Sequence, residues 1–234
     1  MVFLIQQTIN YAVPLLIVAL ARVFSERSGI INLALEGIMI FGAFIGVLFV
    51  RSMQDLDVAM LASAAMGALF SLLLSFAWIN LRADQTIGGT ALNLLAPALV
   101  LFLINVIAQQ NKLVIDGGAT TWFMIKKSTF GIPKSQDIGF FGELLINKVY
   151  LSTYVCILLF IVLSILLYTT KFGLRLRACG ENPQAAASLG INVYKMRYAG
   201  TTISGALSGI GGFVYALAAA DGAATGAASL LSRS

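Results

Sequence analysis

The 234-residue sequence contains no histidine. Without an imidazole there is no Ser-His-Asp triad, no H-E-x-x-H zinc site and no histidine proton relay, which removes most hydrolytic and zinc-dependent mechanisms. Charge is scarce as well: 11% of residues are Asp, Glu, Lys or Arg, against about 25% in a soluble domain. The two cysteines, Cys156 in an apolar block and Cys179 in a basic stretch, have neither metal-ligand spacing nor a disulfide framework, and read as small packing residues. No G-x-x-x-x-G-K-[ST] stretch occurs, so this chain is not expected to bind a nucleotide through such a loop. No nucleophile, base and orienting group recur together, so the sequence does not read as an enzyme.

What is abundant is apolar: 59% of residues are hydrophobic and the mean hydropathy is +0.92. These residues run in long blocks separated by short charged clusters. A helix crossing about 30 Å of hydrocarbon needs roughly 20 mainly apolar residues. Six segments meet that length: Phe3–Phe24, Ile30–Val50, Val58–Leu81, Thr86–Ala108, Tyr150–Tyr168 and Tyr198–Ala220. In lipid the backbone must satisfy its own hydrogen bonds, so these are helices. The alternating ten-residue segments of a β-barrel are missing. The expected fold is therefore all-α, a polytopic membrane bundle over residues 1–220, followed by a polar tail, 221–234, too short and too polar to cross again. The N-terminus is apolar from the start and has neither a basic n-region nor a small-residue cleavage site, so the first block reads as a retained helix.

The net charge of +5 does not mark a nucleic-acid binder, because the basic residues sit at the ends of apolar blocks rather than on one face. They set orientation instead. Lys171, Arg175, Arg177, Lys195 and Arg197 against Glu181 place the connection 169–197 in the cytoplasm, and alternation then puts Arg22, Arg27 and Arg82 inside and the long Asn111–Val149 connection outside.

Polar residues within the blocks are the candidates for function. Glu36 is expected about two turns into the second helix, with Asn32 one turn before it on the same face. Three roles suit a carboxylate at that depth: a polar clamp between helices, a lining group of a solute path, or a proton-coupling acid. The fourth segment carries Thr86, Thr90 and Asn93 near one face, with Gly88-Gly89 and Pro97 to loosen its hydrogen-bond ladder. Its neutral hydroxyls and amide suit the hydroxyls of a small polar solute, or bonds between helices. Small residues recur at packing intervals: Gly42 with Gly46, Gly67 with Ser71 and Ser75, and Gly205 with Gly209 beside Ser204, Ser208 and Gly212. They allow close helix approach, either as static packing or at a moving interface.

Between the last two spans, Asn182 reads as an N-cap, Pro183 as the first helical position, Gln184 to Leu189 as a short helix and Gly190 as its stop. A helix this short is marginal alone and needs a partner surface or a resting place on the membrane.

Three stretches, Glu26-Arg-Ser-Gly-Ile-Ile-Asn-Leu-Ala-Leu-Glu-Gly37 onward, Leu81-Arg-Ala-Asp-Gln-Thr-Ile-Gly-Gly-Thr-Ala-Leu-Asn93, and Gly173-Leu-Arg-Leu-Arg-Ala-Cys-Gly-Glu-Asn-Pro-Gln-Ala-Ala187 through to Gly209, together resemble the permease subunits of bacterial ABC importers for branched-chain amino acids, sugars and nucleosides, most nearly the nucleoside branch. The resemblance implies a multi-pass protein of the bacterial plasma membrane. It would work with a cytoplasmic ATPase that binds the ATP, a second permease subunit and an extracytoplasmic solute-binding lipoprotein. It also assigns Gly180 through Gly190, including Glu181, Asn182, Pro183, Ala185 and Ala186, to a coupling helix that docks on the ATPase. Members of that family continue into further apolar spans, so the polar tail resembles a truncation. The alternative from another class is a transporter driven by an ion gradient, with Glu36 as its coupling acid.

Overall fold

The computed structural model describes residues 2–53, 55–108, 124–125 and 149–231. The apolar blocks form helices α1 (Val2–Arg27), α2 (Leu35–Met53), α3 (Leu56–Ile79), α4 (Gln85–Ala108), α5 (Leu151–Thr169) and α8 (Val193–Leu231). Between the last two lie α6 (Lys171–Glu181) and α7 (Pro183–Ser188). A two-residue antiparallel pairing, β1 (Met124–Ile125) with β2 (Val149–Tyr150), precedes α5. Among the described residues, five helices are long and apolar enough to cross a membrane, and six when α5 is counted with α6, which is bent from it by 67°. The all-α class holds. The rest of the 109–148 connection, with its basic residues, lies outside the described residues.

Helix α8 is the hub. Its most extensive packing is with α3, then with α1 and α2, and the contact is backbone against backbone. A Cβ added at Gly42 would stand 2.5 Å from the Cα of Gly209, one at Gly67 would strike the Gly205 carbonyl, and one at Gly212 the Met39 carbonyl. Gly46 is covered by the ring of Phe213. Without side chains in the way, helices in lipid gain dispersion contacts and short polar bonds that the hydrophobic effect does not supply there. The bonds are present: Ser71 Oγ donates to the Thr201 carbonyl at 2.6 Å, the Ser75 and Thr201 hydroxyls are 2.5 Å apart, and Ser208 Oγ donates to the Leu35 carbonyl at 2.9 Å. The four hydroxyl residues are buried.

Apolar packing fills the remaining layers. Ile17, Phe24, Cys156, Leu167 and Leu176 join α1, α5 and α6. Phe41 stacks on Phe70 with ring centroids 4.1 Å apart, above Ala96 and Val100 of α4. Helix α4 is peripheral, with Leu94 80% exposed on the isolated chain, a surface for lipid or another subunit.

The four largest differences from expectation each have a local reason. The second helix begins at Leu35, not Ile30, because Gly29 takes a left-handed φ of +85° and the chain has no regular structure from Ile30 through Asn32. The last helix begins at Val193, not Tyr198, because Asn192 Oδ1 accepts from the Lys195 N–H at 3.1 Å and caps it. That helix does not stop at Ala220 either. It continues to Leu231 through an alanine-rich stretch in which Gly222 and Gly226 lower helix propensity without breaking the ladder. Residues 171–181, expected as part of a loop, form α6: Phe172, Leu176 and Cys179 recur at helical spacing and face the bundle.

At the start of α4, Asp84 Oδ1 accepts from the Thr86 N–H at 2.7 Å and the Ile87 N–H at 3.3 Å. The Thr86 bond leads in holding the carboxyl below its ordinary pKa of 3.8. A depressed acid stabilises above its unfolded pKa, and this contribution fades as pH falls through the lower folded value. Asp84→Ala should speed amide hydrogen exchange at Thr86 and Ile87 at neutral pH while leaving the second half of α4 unchanged. The difference from wild type should shrink at pH below 3.8.

Candidate functional site

The segment Ser25–Ala34 links the expected features. Ser25 Oγ donates to the Ile30 carbonyl at 2.7 Å and Ser28 Oγ to the Ser25 carbonyl at 2.6 Å, which closes a tight bend after α1. On one side the bend packs on α6: Gly180 stands against Gly29 and the Arg27 carbonyl with no room for a Cβ. On the other it is bonded to α4. Ile31 N–H donates to Gln85 Oε1 at 2.9 Å, Asn93 Nδ2 to the Leu33 carbonyl at 2.7 Å, and Gly37 N–H to Asn93 Oδ1 at 2.8 Å. Asn93 thus clamps α4 to the start of α2, with one bond at each end of its amide.

Glu36 is not two turns deep. It occupies the first turn of α2, is exposed, and has no hydrogen bond or ion pair among the described residues. A helix N-terminus favours an anion, which eases its placement there. Asn32 is not a turn below it on a helix but in the irregular lead-in, where its Oδ1 accepts from the Ala34 N–H at 3.1 Å. That leaves Asn32 Nδ2 without a protein partner in a residue 1% exposed.

Asn32, Glu36, Thr90 and Asn93 come together on a cavity of about 470 Å³, closed on the α1 side by Val18 and Arg22. Arg22 does not neutralise Glu36, since its Nε lies 2.7 Å from Glu26 Oε1. Thr86 does not line this cavity: it stands a turn away, exposed, and its carbonyl accepts from Thr90 Oγ1 at 2.8 Å. Helix α4 is also unbroken at Pro97, contrary to the loosened helix expected from its glycines and proline. Gly89 instead lets α4 close on Leu33. The bonding roles of Gln85 and Ser25 and the Gly29–Gly180 contact were invisible in the sequence, apart from the φ-permissive glycine itself.

The short α7 carries its own stops. Asn182 Oδ1 accepts from the Ala185 N–H at 3.1 Å, and Pro183 occupies the first turn. At the far end Gly190, at φ +79°, donates to the Ala187 carbonyl at 3.0 Å and Ile191 N–H to the Ala186 carbonyl at 3.1 Å, the paired bonds of a Schellman stop. Ala186 is buried, whereas Ala185, Leu189 and Gly190 are exposed, as are Glu181 and Asn182. Arg177 lies over the Tyr168 ring at 5.4 Å, at the α5–α6 bend. Among the described residues no group of three or more Cys, Asp or Glu is placed to hold a metal ion.

Comparison with known proteins agrees with this arrangement. Residues 4–231 match the family described as branched-chain amino acid transport system / permease component. The chain is 44% identical over 219 residues to the guanosine ABC transporter permease protein NupQ of Bacillus subtilis, covering 91% of this chain and 66% of that protein. It is 42% identical over 214 residues to the nucleoside ABC transporter permease protein NupC of Lactococcus lactis, covering 89% and 65%. A putative glucose ABC transporter permease protein, TsgC13 of Haloferax volcanii, is 27% identical, covering 92% and 63%. The chain therefore spans just under two thirds of the length of these relatives. No solved structure matches it. The chain is a multi-pass membrane protein and belongs to the branched-chain amino acid transport system / permease component family.

Proposed function

We infer that this chain forms part of the path through an ATP-driven importer in a bacterial plasma membrane, and that the solute is a nucleoside. The observation that carries the reading is the family match over residues 4–231 together with two relatives, above 40% identity, named as guanosine and nucleoside permeases. The partners in this reading are a cytoplasmic ABC ATPase that binds the ATP, a second permease subunit and an extracytoplasmic solute-binding lipoprotein.

The physical arrangement supports a division of labour. Helix α7 presents small exposed residues on a rigid, doubly stopped turn, a shape suited to a groove on the ATPase. Its neighbour α6 passes movement to the Ser25–Ala34 bend through the Gly180–Gly29 contact. The bend is bonded to α4 through Gln85 and Asn93, so a shift at α7 displaces the walls of the cavity.

Replacing Asn182–Gly190 with a flexible glycine-serine linker in the reconstituted importer should abolish ATP-dependent nucleoside uptake while docking of the binding protein persists. Uptake that survives the replacement would remove α7 from the mechanism.

A further inference from the structure

Glu36 borders more than one cavity. A second one, of about 320 Å³, lies between α1, α2 and α8, and its walls include Glu36, Met39, Ile40 and Tyr215. Glu36 lines both. From Glu36 to Ala43, at the far end of the second, α2 rises about 10 Å at 1.5 Å per residue. The two cavities that share Glu36 thus differ in their walls, polar at the basic side of the bundle and apolar and aromatic toward mid-membrane.

We propose that these two cavities together bind a nucleoside during transport, with the base in the Met39–Tyr215 chamber and the ribose hydroxyls between Glu36 and Asn32. The assignment rests on the nucleoside reading above. A carboxylate can only accept hydrogen bonds, and the amide Nδ2 of Asn32 can only donate them. A hydroxyl group satisfies both at once, and a vicinal diol does so twice over. Asn32 is fully buried, its Oδ1 is committed to Ala34, and its Nδ2 meets no protein acceptor. A buried donor left in that state is costly unless something else receives it. Glu36 has no ion pair among the described residues, the Arg22 Nε being bonded to Glu26, so its carboxylate is available to accept from a solute hydroxyl. Asn93 is held in place by bonds to the backbone of Leu33 and Gly37, so it shapes the wall of the cavity beside the pair.

The test compares guanosine with 2′,3′-dideoxyguanosine as substrates of the complete importer in vesicles. Hydrogen bonds to a charged group carry enough energy for a discrimination of about tenfold or more. Glu36→Gln should raise the guanosine concentration for half-maximal uptake by about tenfold and leave the dideoxy analogue unchanged, erasing the preference. Asn32→Ser should act in the same direction, and Tyr215→Leu should weaken both substrates alike. Should Glu36→Gln fail to assemble, the ratio of the two substrates in Asn32→Ser decides the matter. Equal losses on both substrates, or no change on either, would overturn the assignment while leaving nucleoside transport intact. A wild-type importer that takes up no ribonucleoside would instead overturn the nucleoside reading itself.

Discussion

Gly209→Val is expected to dismantle the bundle. Gly209 lies where α8 meets two helices at once: its Cα is the atom that a Cβ on Gly42 would meet at 2.5 Å, and a Cβ of its own would strike the Ser63 carbonyl. Both obstacles are backbone, and Gly42, Gly67 and Ser63 belong to helices that cannot retreat without losing Phe213, Ser71 and Thr201 from the same interface. Overpacking of a tight core typically costs about 1–3 kcal/mol, and two backbone collisions place this change at or above the upper end, about 3 kcal/mol or more. Thermal unfolding in detergent should show a large fall in midpoint or no folded protein at all. Ala91→Leu, on the exposed face of α4, should stay within about 0.5 kcal/mol of wild type. An unchanged midpoint for Gly209→Val would mean that α2, α3 and α8 do not meet at that point.

Gly180→Val should leave the bundle folded and uncouple it. Gly180 touches the Arg27 carbonyl, and an added Cβ would lie 3.1 Å from Gly29 N. A valine there pushes α6 off the bend without entering the α3–α8 interface. In the assembled importer ATP hydrolysis should continue, while uptake falls by about tenfold or more, since a misplacement of about 1 Å in a coupled element is enough for large functional losses. If uptake and hydrolysis fall together in proportion, the contact serves assembly rather than transmission.

How much of this was legible in the sequence depended on whether the signal was local. Asn182, Pro183 and Gly190 announced α7 because capping chemistry is written in neighbouring residues. The spans were legible because lipid demands length and apolarity. Hydropathy, however, reports burial and not helicity, so Ile30 and Ile31 were absorbed into a helix that starts at Leu35. Glu36 was then placed too deep. Helix α6 was hidden by its lysine and arginines, whose charge disguised the Phe172–Leu176–Cys179 stripe beneath. The bonds of Asn93 to groups 56 and 60 residues away, and the lack of a protein partner for Asn32 Nδ2, are tertiary facts with no sequence signature. They separate the clamp from the candidate solute contacts, which the sequence had grouped together.

The measurement that bears most directly on the central claim is site-directed crosslinking from α7. With Cys156 and Cys179 replaced by serine, a cysteine at Ala185 carries a short bifunctional reagent in the assembled importer. The account predicts a crosslink to the ATPase subunit and protection from a membrane-impermeant thiol reagent applied outside right-side-out vesicles. Labelling of that cysteine from the exterior, or its crosslinking only to lipid, would contradict it.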